Sequence, residues 1–242
     1  MIGHSRLSMS FFGRAHLIQT ILMALALAAS EPTGFSFDQT TVVLAQGAPT
    51  GPGVRSRVYC SGRKLRLEPG GAPDSPALIL RLDLGRAWRL DPEARRAVEI
   101  DAERLRARSQ SDASVAAGLM GGLEDVRTRP LDARRTIAGL ACRGFRITGP
   151  SVTMEVWVAE ALPLRADAFA DFLEWSGAAQ ALGGLLAEIR RLPGFPLETR
   201  AKVSVLDQVQ DTVSTITAIH VGAPPPALFE VPAGWRVVSE PR

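Results

Sequence analysis

The chain has 242 residues, with 28 Lys and Arg against 25 Asp and Glu and a formal charge of +3. Residues 1–30 contain Arg6 and Arg14 but no Asp, Glu or Lys, so removing their two positives from +3 leaves +1 on residues 31–242. With so even a balance, and Lys only at positions 64 and 202, the charge pattern excludes a basic nucleic-acid-binding protein. The chain opens with Arg6 and Arg14 and continues into an apolar stretch, 17–29, strongest at ILMALAL (21–27). The small residues Ala28, Ala29 and Ser30 then precede Glu31-Pro32. A basic start, an apolar run and a small-residue exit form a secretory signal peptide. The run is shorter than the roughly 20 residues of a spanning helix, so no stable membrane span is expected after cleavage. Cleavage is placed after Ser30, leaving 31–242 as a single exported domain.

The elements that follow are mostly short strands. Residues 35–46 alternate, with Phe35, Phe37, Thr41, Val43 and Ala45 on one parity. A Gly/Pro loop covers 47–53. Two strands in 55–68 break at Ser61-Gly62, and 69–76 is another loop. Residues 77–83, 86–90 and 95–100 read as strands separated by Leu84-Gly85 and Asp91-Pro92, the rhythm of an antiparallel meander. A helix is expected around 113–126, weakened at Gly118, Gly121 and Gly122 by up to ~1 kcal/mol each. Strands resume at 134–137, 141–148 and 152–159, where Met154, Val156 and Val158 face opposite Thr153, Glu155 and Trp157. Residues 166–191 are helical, with Phe169, Phe172 and Leu173 at i, i+3 and i+4 and Leu182, Leu185, Leu186 and Ile189 repeating the pattern. Residues 196–206 alternate as a half-buried strand, 212–220 are the hairpin partner, and a Pro-rich segment closes the chain.

Chemistry-bearing residues are sparse. Beyond residue 30 the sole histidine is His220, which rules out a multi-His metal site and reads as structural. Cys60 and Cys142 are an even pair in an oxidising compartment. They are either a disulfide, closing a loop worth roughly 4 kcal/mol in the chain-entropy model, or two buried thiols. Asp167, Asp171 and Glu174 share a helix face that reads as solvated rather than cation-binding. Arg134, Arg135, Arg143 and Arg146 read as outward strand positions. No nucleophile elbow or phosphate-cradling loop is present, so neither an enzyme nor a cofactor is expected. Trp88, Met120, Met154, Trp157, Phe169, Phe172 and Trp175 are candidates to line an apolar cavity; ordinary core packing is the alternative.

Five segments together carry a resemblance: LGRAWRLDPEARRAVEID (84–101), TIAGLACRGFRIT (136–148), EVWVAEALPL (155–164), PGFPLE (193–198) and LFEVPAGWRVV (228–238). In order and spacing the chain resembles exported bacterial proteins grouped as domain of unknown function 4412. The resemblance implies the fold of periplasmic lipoprotein carriers. That fold is α+β, a curved antiparallel sheet or half-barrel with helices in its concave face, in a Gram-negative envelope. The group has no established activity, and no site residue is implied. The function expected by this analogy is binding of an apolar or amphiphilic ligand, such as a lipid or acyl chain, between sheet and helices. The alternative is a protein-interaction or assembly-factor module with an envelope protein as partner and no small-molecule ligand.

Overall fold

A computed structural model of the chain describes residues 34–71, 75–119, 123, 125–164, 170–176, 178–205 and 208–240. The expected signal peptide lies outside these residues. The first half forms strands β1 (Phe35–Ala45), β2 (Ala48–Pro49), β3 (Val54–Ser61), β4 (Lys64–Pro69), β5 (Ala77–Arg81), β6 (Arg86–Asp91) and β7 (Arg96–Asp101). Helix α1 (Ala102–Leu119) leads to β8 (Arg127–Ile137), β9 (Leu140–Thr148) and β10 (Val152–Ala159). Helices α2 (Ala170–Trp175) and α3 (Ala178–Arg190) precede β11 (Phe195–Val205) and β12 (Gln208–Val221). A 3-10 turn, Pro226–Phe229, and strand β13 (Arg236–Ser239) finish the chain.

All the described strands belong to one sheet, ordered β13-β7-β6-β5-β4-β3-β1-β12-β11-β10-β9-β8, with β2 beside β1. Every pairing is antiparallel except β13 with β7. The chain builds one meander outward from β1 to β7, crosses on α1 to the opposite edge, and builds a second meander inward from β8 to β12. The two join at β1 and β12, whose register runs from Phe35↔Val221 to Leu44↔Asp211 with a shift between Asp38 and Gln39. Strands β8 and β13 end the order without pairing to each other, so the sheet is open and not closed into a barrel. The architecture is sheet-dominated, and the α+β class read from the sequence overstates its helical share.

The helix expected at 113–126 instead starts at Ala102. The Asp101 side chain accepts hydrogen bonds from the backbone N–H of Glu103 (3.0 Å) and Arg104 (3.1 Å), an N-cap directly at the end of β7. Strand β8 begins at Arg127 rather than Arg134 because it is an edge strand that tolerates Pro130, with a register shift between Pro130 and Arg134. Within the expected helix 166–191 the described residues form α2 and α3, and Gly183 (φ 38, ψ −117) kinks α3.

The core falls into three clusters. Under α3, Leu182, Leu185, Leu186 and Ile189 pack on Met154, Val156, Val158, Ile147 and Ala201 of the sheet. The second cluster centres on Phe35, Phe37 and Phe195, whose rings lie about 6 Å apart, and extends to Val58, Leu80, Ile100, Ile216 and Phe172 of α2. The third lies on the opposite face of β5–β7, where Val231 and Trp235 cover Ala77, Ile79, Trp88, Leu90 and Ala97. That tail is fastened by Arg66, which donates to the carbonyl of Leu228 (3.1 Å), and by Arg81, which donates to the carbonyl of Phe229 (3.4 Å).

Candidate functional site

The alternation of β1 puts Phe35, Phe37, Gln39 and Thr41 on the face that the helices cover, each no more than 6% exposed. Gln39 and Thr41 break an apolar row. Across β12 and β11, Thr212, Ser214 and Thr199 continue the break, all buried. The result is a polar seam between the cluster beneath α3 and the cluster around the three phenylalanines. Within it Thr41 Oγ1 and Ser214 Oγ are 2.8 Å apart, Gln39 Nε2 donates to Thr41 Oγ1 at 3.4 Å, and Thr212 Oγ1 donates to the Ala201 carbonyl at 3.4 Å. Gln39 Oε1 is buried and accepts no hydrogen bond.

An opening of about 450 Å³ lies where the β3–β4 turn meets α1 and α2, lined by Arg63, Arg106, Glu174 and Trp175. Trp175 is half-buried and packs on the second core cluster, so the opening sets one aromatic side chain among three charged ones. Glu174 forms an ion pair with Arg190 of α3 (3.5 Å), and Arg106 with Glu103 (3.5 Å).

Of the seven residues expected to line one cavity, Trp157, Phe172 and Trp175 belong to the second core cluster, whereas Met154 and Trp88 lie in the other two. Met154 is fully buried beneath α3, and Phe172 is buried in the second cluster beside Trp175. Trp88 sits on the far face of the sheet under the C-terminal tail, because β6 alternates Ala87 inward and Trp88 outward. Trp157 also faces away from Met154. Its ring lies over Gly144 and beneath the Arg135 guanidinium, 4.2 Å from the ring centre, while Arg135 pairs with Glu198 at 2.8 Å. Met120 and Phe169 lie outside the described residues.

Cys60 and Cys142 are two buried thiols and are not joined to each other. Their strands, β3 and β9, are five places apart in the sheet, with β1, β12, β11 and β10 between them. Burial pushes the Cys142 thiol above its ordinary pKa, which suits an inert core residue.

The remaining candidates are ordinary surface pairs. Arg143 meets Glu160 (3.6 Å) and Arg146 meets Glu155 (2.6 Å). Asp167 lies outside the described residues, as does the side chain of Asp171. His220 lies on the outer face in a depression of about 290 Å³ with Ser36, Asp38, Arg57, Tyr59 and Ala218. There the Arg57 guanidinium binds both Asp38 oxygens (2.5 and 2.8 Å) and holds that carboxyl below its ordinary range. Among the described residues no group of three or more His, Cys, Asp or Glu is placed to hold a metal ion, and no helix is long and apolar enough to cross a membrane.

Sequence reasoning missed Gln39, Arg63 and Arg106. A polar residue on the apolar parity of Phe35-x-Phe37-x-Gln39 was the available signal for the first. Nothing local marks the two arginines.

The family model described as Domain of unknown function (DUF4412) matches residues 87–235. The chain belongs to this family. The matched span starts in β6 and ends just before β13, so it includes α1, both inner-face helices and the tail over β5–β7. No curated protein matches the chain. Among solved structures, an uncharacterised conserved protein of Thermus thermophilus is similar at 10% identity and a TM-score of 0.42, with 94% of this chain and 99% of that one covered. A LolA superfamily protein of Nitrosomonas europaea is similar at 12% identity and a TM-score of 0.34, covering 88% and 96%. PNGF-II is similar at 11% identity and a TM-score of 0.36 over 86% of this chain, which spans 31% of that protein's length. Every one of these scores is below 0.5, and the functional reading rests on the family member's own geometry.

Proposed function

We propose that the protein binds an apolar or amphiphilic ligand, such as a lipid or acyl chain, between its sheet and its helices, without catalysing a reaction, in the bacterial envelope. The observation that carries the reading is the opening of about 450 Å³ where two helices and a strand turn meet, with Trp175 in its lining and packed on the second core cluster. The core beneath is packed, so a ligand enters by displacing helices rather than by filling a void.

The helical layer is built for that. Among its described side chains α1 fully buries only Ala113, α2 is six residues long, and α3 is broken at Gly183. The sparse burial beneath α1 lowers the cost of local opening there, while each alkyl group buried returns roughly 0.8 kcal/mol per CH₂. We take the sheet to be a half-barrel whose concave face is the one that α2 and α3 cover. The envelope location rests on the signal-peptide pattern of residues 1–30.

The interaction-module reading has less support because both sheet edges are guarded. Edge strand β8 carries Arg127, Arg129, Pro130 and a register shift, and β13 is four residues long. Titration with the fluorescent fatty acid cis-parinaric acid, followed by displacement with octadecanoic acid, tests the ligand reading. Saturable one-to-one binding that weakens in Trp175→Ala is expected. Absence of saturable binding, together with only the bare mass in native mass spectra of protein from envelope extracts, would overturn it.

A further inference from the structure

We propose that the polar seam of Gln39, Thr41 and Ser214 is a subsite for a hydrogen-bond-donating group on the ligand, so that the chain it prefers carries a hydroxyl or amide N–H. This rests on the ligand reading above and names the class of ligand within it.

The seam is out of place in a face meant only to pack. Its neighbours along β1 and across the sheet are Phe37, Ile216, Leu197 and Ala201, all buried and apolar. An apolar residue at 39 would fill the same row without burying a polar group. Instead the Gln39 carboxamide is 2% exposed, makes one long bond through Nε2, and leaves Oε1 without a donor. Buried carbonyl oxygens are almost always satisfied, and an orphan calls for a partner that is itself a donor.

Two features make this oxygen a receptor rather than an accident of packing. The β1–β12 register shifts between Asp38 and Gln39, leaving Thr217 unpaired in the ladder, and bulges of this kind re-aim neighbouring side chains. Thr41 and Ser214, 2.8 Å apart, can each donate to or accept from the other, so the seam can turn its hydroxyls to suit a group arriving at Gln39.

The seam's position sets where on the ligand the donor belongs. Gln39 pairs with Ser56 on β3, and the β3–β4 turn at the opening follows Ser61. Five residues of strand separate the two, roughly 17 Å. A chain that enters tail first with its head group at the rim of Arg63 and Arg106 therefore meets the seam well along its length.

The test compares octadecanoic acid with 12-hydroxyoctadecanoic acid by displacement of cis-parinaric acid from the full exported domain. The hydroxylated acid is expected to bind about tenfold tighter, equivalent to about 1.4 kcal/mol. Gln39→Leu should remove that preference while octadecanoic acid binds as well as before or better. Thr41→Val, which changes shape little, serves as a second variant and should narrow the preference. Equal affinity for the two acids in the unmodified protein, or a preference kept in both variants, would show the seam to be a structural network and overturn the subsite. Binding of neither acid would remove the ligand reading itself, and the subsite with it.

Discussion

Replacing Gly144 with alanine should destabilise the protein, and the reason lies in the seat of Trp157. A Cβ at position 144 would stand 2.8 Å from Cη2 and Cζ3 of the indole and 3.0 Å from Leu131 Cδ1. Carbon atoms rest at about 3.5–4.0 Å, so the ring must shift by most of an ångström. It is held in place on its other side by the Arg135 guanidinium, which is itself paired with Glu198. Overpacking of this kind costs about 1–3 kcal/mol, and part of the cation–π contact, about 0.5–1 kcal/mol, is lost as well. A net loss near 2 kcal/mol is expected, lowering the urea midpoint with an unchanged slope and the melting temperature by about 4–8 °C. The experiment discriminates by sign. Gly144 is not among the positive-φ residues, so without the clash alanine would stabilise by about 0.4–1 kcal/mol through the unfolded chain. A neutral or stabilising Gly144→Ala would refute the packing account of the Trp157 seat.

Other expectations concern the cap, the tail and acid. Asp101→Ala removes the acceptor for two backbone N–H groups at the start of α1 and should cost about 1 kcal/mol in urea unfolding, with Asp101→Asn retaining most of it. Glu68 is 4% exposed and pairs with Arg66 at 2.7 Å, so Glu68→Ala leaves a largely buried guanidinium uncompensated. That change should cost about 3 kcal/mol and make the C-terminal tail more susceptible to proteolysis. The carboxyls of Asp38, Asp83 and Asp91 are held below their ordinary values: Asp38 chiefly by the Arg57 hydrogen bonds, Asp83 by those of Arg81, and Asp91 by the Ala94 N–H and then Arg96. Groups depressed on folding stabilise above the unfolded carboxylate pKa of about 4 and lose that contribution as pH falls through the folded value. Stability should therefore fall below about pH 4, and the Asp38→Asn variant should show a shallower fall over that window in thermal melts.

Much of the sheet was legible because alternation is a local signal. Strands β1, β10 and β11 form where the alternation marks them, with Phe35, Phe37 and Thr41, Met154 and Val156, and Leu197 and Ala201 facing inward as expected, whereas Val43 near the end of β1 is exposed. The sequence also placed Trp157 opposite Met154, which already conflicted with assigning both to one cavity. The mistakes arose where a non-local partner decides the outcome. Trp88 is covered by Trp235 and Val231, a contact between distant segments; the continuous apolar run Ala77-Leu78-Ile79-Leu80, buried on both faces, was its only local sign. Strand β13 exists because β7 offers it an edge, and no alternation marks its four residues. Helix α1 lacks an apolar stripe, so its start rests on the Asp101 cap rather than on periodicity. The cysteines could be counted but not placed, because their separation depends on strand order.

The meeting of β1 with β12 has a consequence for how the molecule comes into being. The centre of the sheet is stitched from residues near opposite ends of the chain, Phe35 with Val221. Closing that loop costs about 5 kcal/mol of chain entropy if the intervening chain is flexible, and only the prior folding of the two meanders reduces it. Each meander alone would present a long bare edge, β1 on one side and β12 on the other. The sheet therefore becomes safe from edge-to-edge association only after nearly the whole chain has been delivered, and its slowest step should be the docking of two preformed halves.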